Sequence, residues 1–434
     1  MDGTDTIVIK QHLIDPEICI RCNTCESVCP VQAITHDDRN YVVDAGKCNL
    51  CMACISPCPT GSIDNWRTMP RVMAYAIDAQ LGWDTLPAEL TPEQLAAEGV
   101  AADAPPPLEP AAPSLLERVA PVLPAAVSGE TAFNSAQYAA TLPPWSAAHA
   151  YTNLYGPKAA DKSVTATVAG NVRVTEVGRE YDTHHVVLDF GAMPFPVLEG
   201  QSIAVVPPGL DAAGRAHHPR QYSIASPRNG ERPGYNNLSL TIKRVLEDHQ
   251  GRPVRGVASN YLCDLRVGDT VQVIGPFGSS FLMPNHPKSH VVMICTGTGS
   301  APMRAMTEWR RRLRQSGKFE GGKLMLFFGA RTQQELPYFG PLQSLPKDFI
   351  DINLAFSRTA GQPKRYVQDL MHERAADLAP LLADPNAFFY VCGLKAMEEG
   401  VVLALRDVAQ QAGLDWAAVG AALRQHGRLH LETY

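Results

Sequence analysis

The sequence predicts a multidomain protein of the α+β and α/β classes: a small cysteine-built domain, then an antiparallel β-barrel, then a parallel α/β domain. Three observations predict it. Eight of the eleven cysteines lie between Cys19 and Cys58, in two copies of one spacing. From about residue 163 to about Pro284, short β-rich runs such as Val164-Thr165-Ala166-Thr167-Val168 and Val186-Val187-Leu188-Asp189-Phe190 are separated by Gly and Pro. Beyond that, apolar runs of strand length alternate with helical stretches, the pattern of a parallel sheet with crossover helices. A length of 434 residues has room for all three, since one domain takes about 100–200 residues.

The cysteines come first. Cys19, Cys22, Cys25 and Cys29 recur as Cys48, Cys51, Cys54 and Cys58; Pro30 and Pro59 follow each set, and Ile34 matches Ile63. Four soft thiolates hold a cubane cluster, and this spacing lets three of them come from one loop. With a trailing Cys-Pro, the fourth thiolate is expected to cross to the other cluster. Cluster one would then use Cys19, Cys22, Cys25 and Cys58, and cluster two Cys48, Cys51, Cys54 and Cys29. Structural zinc sites also use C-x2-C pairs; the third cysteine and the Cys-Pro in both copies weigh against them. Disulfides suit an exported domain. The start, Met1-Asp2-Gly3-Thr4-Asp5, has no apolar run of a signal peptide, so a reducing cytoplasm is the expected location. Residues 10–66 resemble two-cluster ferredoxins, and the resemblance implies two [4Fe–4S] clusters.

An Ala/Pro-rich stretch follows, with Ala104-Pro105-Pro106-Pro107 and Pro143-Pro144 marking it as poor in sheet or long helix. Thr91 is a candidate N-cap, with Pro92 and Glu93 in the first turn. The stretch reads as a tether, with packing on the neighbouring domains as the alternative. The expected domain map is residues 1–66 for the clusters, 67–162 for the linker, 163–286 for the barrel and 287–434 for the α/β domain.

On the barrel, Arg220-Gln221-Tyr222-Ser223 places an Arg and a Tyr on one face of a strand. The Arg can neutralise a pyrophosphate, the Tyr can stack on a flavin ring, and the Ser hydroxyl can reach its reactive edge. Gly256-Val257-Ala258-Ser259 fits a loop whose amides meet a pyrophosphate at a helix start. In the α/β half, Val291-Val292-Met293-Ile294-Cys295 reads as a buried strand, and Pro302 to Leu313 as a helix. Leu324 to Phe328 and Phe388 to Val391 read as further buried strands. Thr296-Gly297-Thr298-Gly299 sits between the first strand and its helix, where glycines admit a dinucleotide. Ser357, Arg358, Lys364 and Tyr366 combine cations and hydroxyls as a ribose 2′-phosphate requires; a solvated charged loop is the alternative.

These motifs, with Gly200-Gln201-Ser202-Ile203, Ser239 to Arg244 and Gly275-Pro276, resemble the plant-type ferredoxin–NADP+ reductase family over residues 163–434. The resemblance implies FAD on Arg220, Gln221, Tyr222, Ser223, Thr241, Ile242, Lys243, Gly256, Val257, Ala258 and Ser259. It implies the NADPH pyrophosphate at Thr298, Gly299 and Pro302, and a preference for NADPH set by Ser357, Arg358, Lys364 and Tyr366. Cys392, Gly393 and Leu394 would line the nicotinamide. Ser223, Cys392, Glu432 and Tyr434 would stand at the hydride path, with Tyr434 stacking on the flavin. There are three departures: Glu247 stands near the place of an aromatic residue that stacks on the FAD adenine, and Ser300 and Met303 replace residues that are often Ile and Phe.

The net charge of −6 gives no basic face for nucleic acid, and no stretch is apolar for long enough to span a bilayer. The cofactors together describe a device that takes electron pairs and releases single electrons. The fusion as a whole resembles the reductase components of benzoyl-CoA epoxidase systems, which implies a di-iron oxygenase as partner. A stand-alone NADPH oxidoreductase with another acceptor, or an electron-transfer subunit of a larger complex, are the alternatives.

Overall fold

The computed structural model describes residues 8–97 and 150–434, apart from residues 56, 57, 59, 64, 157–162, 178–180, 212, 249, 285–287 and 320. The chain divides into two compact units, the first holding the cysteine repeats and the second the two large sheets.

In the first unit, β1 (Val8–Leu13) pairs antiparallel with β4 (Asn65–Pro70), and β2 (Ile34–His36) pairs with β3 (Tyr41–Val43). The core gathers Ile14, Ile34, Tyr41, Val43 and Ile63 around Cys25, Cys54 and Cys58. The matched pair Ile34 and Ile63 is buried in both copies, so the repeat in sequence is a repeat in packing.

The expected boundary at residue 66 falls inside β4, and the chain beyond it still belongs to this unit. Buried Gln80, in the helix Ile77–Leu81, accepts from the Val43 amide (3.2 Å) and donates to its carbonyl (2.9 Å). Asn40 donates to the carbonyls of Leu81 (3.0 Å) and Trp83 (2.7 Å). The Gln11 side chain exchanges two hydrogen bonds with the Tyr75 backbone. Counting repeats ends the domain at the last repeated residue. However, β1 precedes the repeat, and a lone strand needs a partner for its backbone groups. Thr91 does cap the helix Pro92–Ala97: its hydroxyl accepts from the Gln94 amide (3.3 Å), and Gln94 Oε1 accepts from the Thr91 amide (2.8 Å). The Pro-rich motifs at 104–107 and 143–144 lie outside the described residues.

The second unit begins with a barrel. Strands β5 (Val164–Arg173), β6 (Thr183–Asp189), β7 (Ser202–Val206), β8 (Arg220–Ser223), β9 (Asn237–Lys243) and β10 (Thr270–Phe277) form one antiparallel sheet in the order β8-β7-β10-β5-β6-β9. A bridge between Ile224 and Leu240, with Ala225 donating to Ser239 (2.8 Å), joins the two edges and closes the sheet. Along β5, Val164, Ala166 and Val168 point inward while Thr165 and Thr167 face out, the period of two that the sequence showed. The helix Val257–Asp264 adds Leu262 and Cys263 to the core. Residues 150–156 join the barrel too, through a Tyr155–Gly275 bridge and an Asn153–Pro276 hydrogen bond. The expected tether to residue 162 therefore ends earlier.

The rest is a five-stranded, wholly parallel sheet: β11 (His290–Thr296), β12 (Leu324–Ala330), β13 (Ile350–Phe356), β14 (Ala387–Gly393) and β15 (Leu429–Thr433), in the order β13-β12-β11-β14-β15. Helices cover it, which explains the unbroken apolar runs of β11, β12 and β14. The helix expected from Pro302 to Leu313 spans Ser300–Gln315. The sheet grows outward from β11 in one direction and from β14 in the other. The crevice at the C-terminal ends of these two strands is thus a topological switch point, where open α/β sheets bind ligands. Among the described residues, no helix is long and apolar enough to cross a membrane.

Candidate functional site

The two cysteine loops repeat in backbone as well as sequence. Between the cysteines, Arg21 (φ 57°) and Asn23 (φ 60°) are left-handed, and so are their counterparts Leu50 (φ 56°) and Met52 (φ 63°). Four non-glycine residues in that region are costly. The conformation turns successive amides toward one point, forming a nest that suits an anionic iron–sulfur group.

The thiols fall into two groups by mutual influence. Burial pushes the Cys19 thiol up to about 12, and Cys58 and Cys22 add to the rise against hydrogen bonds from the Arg21 amide and the Ser62 hydroxyl. Burial likewise raises Cys25, with Cys19, Cys58 and Cys22 adding. Cys54 is pushed up to about 11 by burial, with Cys48, Cys29 and Cys51 adding. Cys29, Cys48, Cys51 and Cys54 also line one cavity. The crossed sets expected from the spacing are therefore the neighbours in space. Among the described residues, no three Cys, His, Asp or Glu side chains converge as ligands of a single ion do. A cubane spreads its four thiolates over separate corners, and these donor sets fit it.

Sequence reasoning missed the groups that touch these sulfurs. Thr24 Oγ1 is 3.2 Å from Cys22 Sγ; Ser62 Oγ and Thr60 Oγ1 are 3.4 and 3.8 Å from Cys58 Sγ. The Ala33 amide donates to Cys29 Sγ (3.3 Å), and buried His12 has Nδ1 3.9 Å from Cys54 Sγ. Hydroxyls within four residues of a cysteine were the available signal for Thr24, Thr60 and Ser62. His12 gave none, because β1 brings it from outside the motif.

On the barrel, β8 carries Arg220 and Gln221 exposed and Tyr222 and Ser223 half-buried, with Tyr222 packed on the core. Gln221 is hydrogen-bonded to Ser202. Ile242 is buried in the barrel core and Thr241 is buried as well, so only their backbones could meet a flavin; Lys243 is exposed at the strand end, 3.9 Å over the Tyr181 ring. Gly256 precedes the helix that begins Val257, Ala258, Ser259. A Cβ on Gly256 would press on Ser259 and Val245. Ser259 Oγ accepts from the Val245 amide (3.2 Å), and Asn260 donates to the carbonyls of Val245 (2.9 Å) and Gly256 (2.8 Å). This stitching holds the helix start open, with its first amides available to a pyrophosphate.

At the switch point the Gly-rich turn meets β14. A Cβ on Gly299 would run into the Cys392 carbonyl, and one on Gly393 (φ 146°) into Thr296; both glycines are required by close approach. Pro302 is buried in the first turn of the following helix, and Leu394 is exposed beyond β14. Ser300 and Met303, the departures from the family pattern, are both buried. Strand β15 pins the chain end. Cys392 lies opposite Glu432, the Tyr434 amide donates to Gly393 (2.9 Å), and the Tyr434 hydroxyl is 2.8 Å from Thr298 Oγ1. The Tyr434 ring is nonetheless exposed. Burial raises the Glu432 carboxyl, whose Oε2 has no hydrogen-bond partner among the described residues, and burial followed by Glu432 raises the Cys392 thiol. Cys392, Glu432, Tyr434 and Thr298 thus come together, while Ser223 stands on the barrel in register with Ser202.

The remaining loop follows β13. Ser357 and Arg358 are held by backbone bonds to Ala330 (3.1 Å) and Arg331 (2.7 Å). Arg358, Lys364 and Tyr366 are exposed, and Tyr366 opens the helix Val367–Glu373. Arg331, which the sequence did not single out, lies beside them, 4.6 Å over Tyr181.

An antiparallel barrel with an Arg-x-Tyr-Ser strand, followed by a parallel sheet with a Gly-rich turn at its switch point, defines a flavin- and nicotinamide-dependent oxidoreductase. Residues 293–402 match the oxidoreductase NAD-binding domain family, and residues 18–62 the 4Fe-4S dicluster domain family. The chain is 38% identical to the cyanelle ferredoxin–NADP reductase of Cyanophora paradoxa over 275 residues, covering 61% of this chain and 74% of the relative. It is 35% identical to the ferredoxin–NADP reductase of Spirulina sp over 292 residues, covering 65% of this chain and 98% of the relative. A solved ferredoxin–NADP+ reductase from Plasmodium falciparum shares the fold, at TM-score 0.50 and 21% identity over 65% of this chain and 99% of that one. The chain belongs to the ferredoxin–NADP reductase family, with a 4Fe–4S dicluster ferredoxin domain fused at its N-terminal side. It is an electron-transfer oxidoreductase of that type, and the family implies FAD and NADP.

Proposed function

We propose that the chain is an NADPH-dependent reductase that serves a separate di-iron oxygenase acting on benzoyl-CoA, by way of FAD and two [4Fe–4S] clusters. The observation that carries this reading is the fusion: two crossed sets of four cysteines share a chain with the flavin and nicotinamide motifs. When bound, FAD would accept electrons in pairs, and the clusters would pass them on singly.

The chain's own residues would do the rest. Arg220 and the helix start at residues 256–259 would neutralise the FAD pyrophosphate, with Lys243 and the Thr241 and Ile242 backbones beside it. Gln221 would keep its bond to Ser202, and Tyr222 would lie against the ring with Ser223 at its edge. Thr298, Gly299 and Pro302 would hold the nucleotide pyrophosphate; Ser357, Arg358, Lys364 and Tyr366 would select the 2′-phosphate. Cys392, Gly393 and Leu394 would frame the nicotinamide. Glu432, whose carboxyl burial raises above its ordinary range, would stand beside Cys392 near it. Tyr434, anchored through Thr298, would cover the flavin until nicotinamide displaces the ring.

The full chain, purified without oxygen, should contain FAD with iron and sulfide for two clusters. Mixed with the di-iron oxygenase, it should support benzoyl-CoA-dependent consumption of NADPH and oxygen. Ferricyanide reduction without that coupled reaction would refute the partner and leave a reductase for another acceptor.

A further inference from the structure

The internal repeat allows each sulfur's surroundings in one set to be compared with its counterpart in the other. In the first set, Thr24 Oγ1 lies 3.2 Å from Cys22 Sγ, Ser62 Oγ 3.4 Å and Thr60 Oγ1 3.8 Å from Cys58 Sγ. Thr60 and Ser62 are 2% and 3% exposed, so water does not compete for them. A thiolate bound to iron carries no proton, so in each pair the hydroxyl must be the donor. At the equivalent places in the second set stand Ala53, Val31 and Ala33; all three hydroxyls are replaced by aliphatic side chains. Among the described residues, the second set has the Ala33 amide on Cys29 (3.3 Å) and a longer contact from His12 Nδ1 to Cys54 (3.9 Å). Val31, Val43, Leu50 and Met52 line its cavity.

Hydrogen bonds to cluster sulfurs stabilise the extra negative charge of the reduced state and raise the potential, whereas apolar surroundings lower it. We propose that the two cysteine sets hold their clusters at different reduction potentials, the set Cys19, Cys22, Cys25 and Cys58 being the higher, and that Thr24, Thr60 and Ser62 are the positioning residues that set the difference. With clusters bound, an electron held by the second set would move downhill to the first, one cluster being oxidised as the other is reduced, and Cys19, Cys22, Cys25 and Cys58 would hold the cluster from which an acceptor draws. This rests on the two-cluster reading.

The test is an EPR-monitored redox titration of the full chain, with iron and sulfide measured on the same sample. Two separate waves are expected. Combining Thr24→Ala, Thr60→Val and Ser62→Ala, which copies the second set's residues into the first, should lower the upper wave toward the other and leave the lower wave in place. The reciprocal graft, Ala53→Thr, Val31→Thr and Ala33→Ser, should raise the lower wave. It keeps the proposal testable if the first variant loses its iron. Ser62→Thr, which retains the hydroxyl, should leave both waves unchanged. Coincident waves at full iron content, or a first-set variant that moves the lower wave, would overturn the proposal. Iron for a single cluster would overturn the two-cluster reading beneath it, and the proposal with it.

Discussion

In the first unit, six of the eight repeated cysteines sit on two loops, Cys19 to Cys25 and Cys48 to Cys54, each with left-handed residues at the same two places between them. At the switch point of the second unit, by contrast, Thr298, Cys392, Glu432 and Tyr434 come from the end of β11, the end of β14 and the far end of the chain. Three thiols on one short loop depend on a few backbone dihedrals. A set assembled from separate strands depends on the whole sheet. Damage should therefore stay local in the first unit and spread through packing in the second.

The largest effect should come from Cys25→Ala. It removes a buried donor from the first set, so iron and sulfide should fall by about half while FAD content is kept, because each cubane needs its four thiolates. Loss of all iron would show that the two sets are not independent. Gly299→Ala should come next. Its new methyl meets the Cys392 carbonyl, and overpacking of this kind costs about 1–3 kcal/mol. Equilibrium binding should show NADPH affinity down about tenfold or more, with iron content unchanged; normal affinity would mean that the turn can yield. Arg358→Ala should cost about 1.5–3 kcal/mol of NADPH binding, the worth of a hydrogen bond to a charged group, and leave NADH binding as it was. Equal losses for both nucleotides would place Arg358 away from the 2′-phosphate.

The smallest effect should be that of Glu432→Gln, and it should depend on pH. Burial raises this carboxyl above its ordinary range. In acid it is neutral in both the folded and unfolded chain and contributes nothing. As pH rises, the unfolded chain ionises first, and the native state carries a penalty that is complete above the folded pKa. The Gln variant should therefore gain thermal stability near neutrality and above, and lose that gain in acid. A pH-independent difference in melting temperature would point to packing instead.

The sequence carried most of the fold because its signals were periodic: strands of period two in the barrel, apolar runs in the parallel sheet, and one cysteine spacing used twice. It was less complete where an element is defined by its partner. β4 and the segment through Trp83 close the first unit because β1 needs pairing and the Val43 backbone finds Gln80. Residues 150–156 join the barrel through Tyr155 and Asn153. Neither segment has a strong pattern of its own.

What the sequence determined by itself was the repeated cysteine spacing and the two glycine-containing turns, at Gly256 and at Gly297 to Gly299, each of which opens a helix. In each turn, and within each run of three cysteines, the residues lie within a few positions of one another, where chain geometry alone fixes their reach. Only the tertiary structure decided that Ile242 points into the barrel core, that Tyr434 is tied to Thr298, and that, among the described residues, hydroxyls stand against Cys22 and Cys58 but not against their counterparts Cys51 and Cys29. Those outcomes depend on distances between segments far apart in the chain, set by sheet register and close packing, and no local pattern of residues records them.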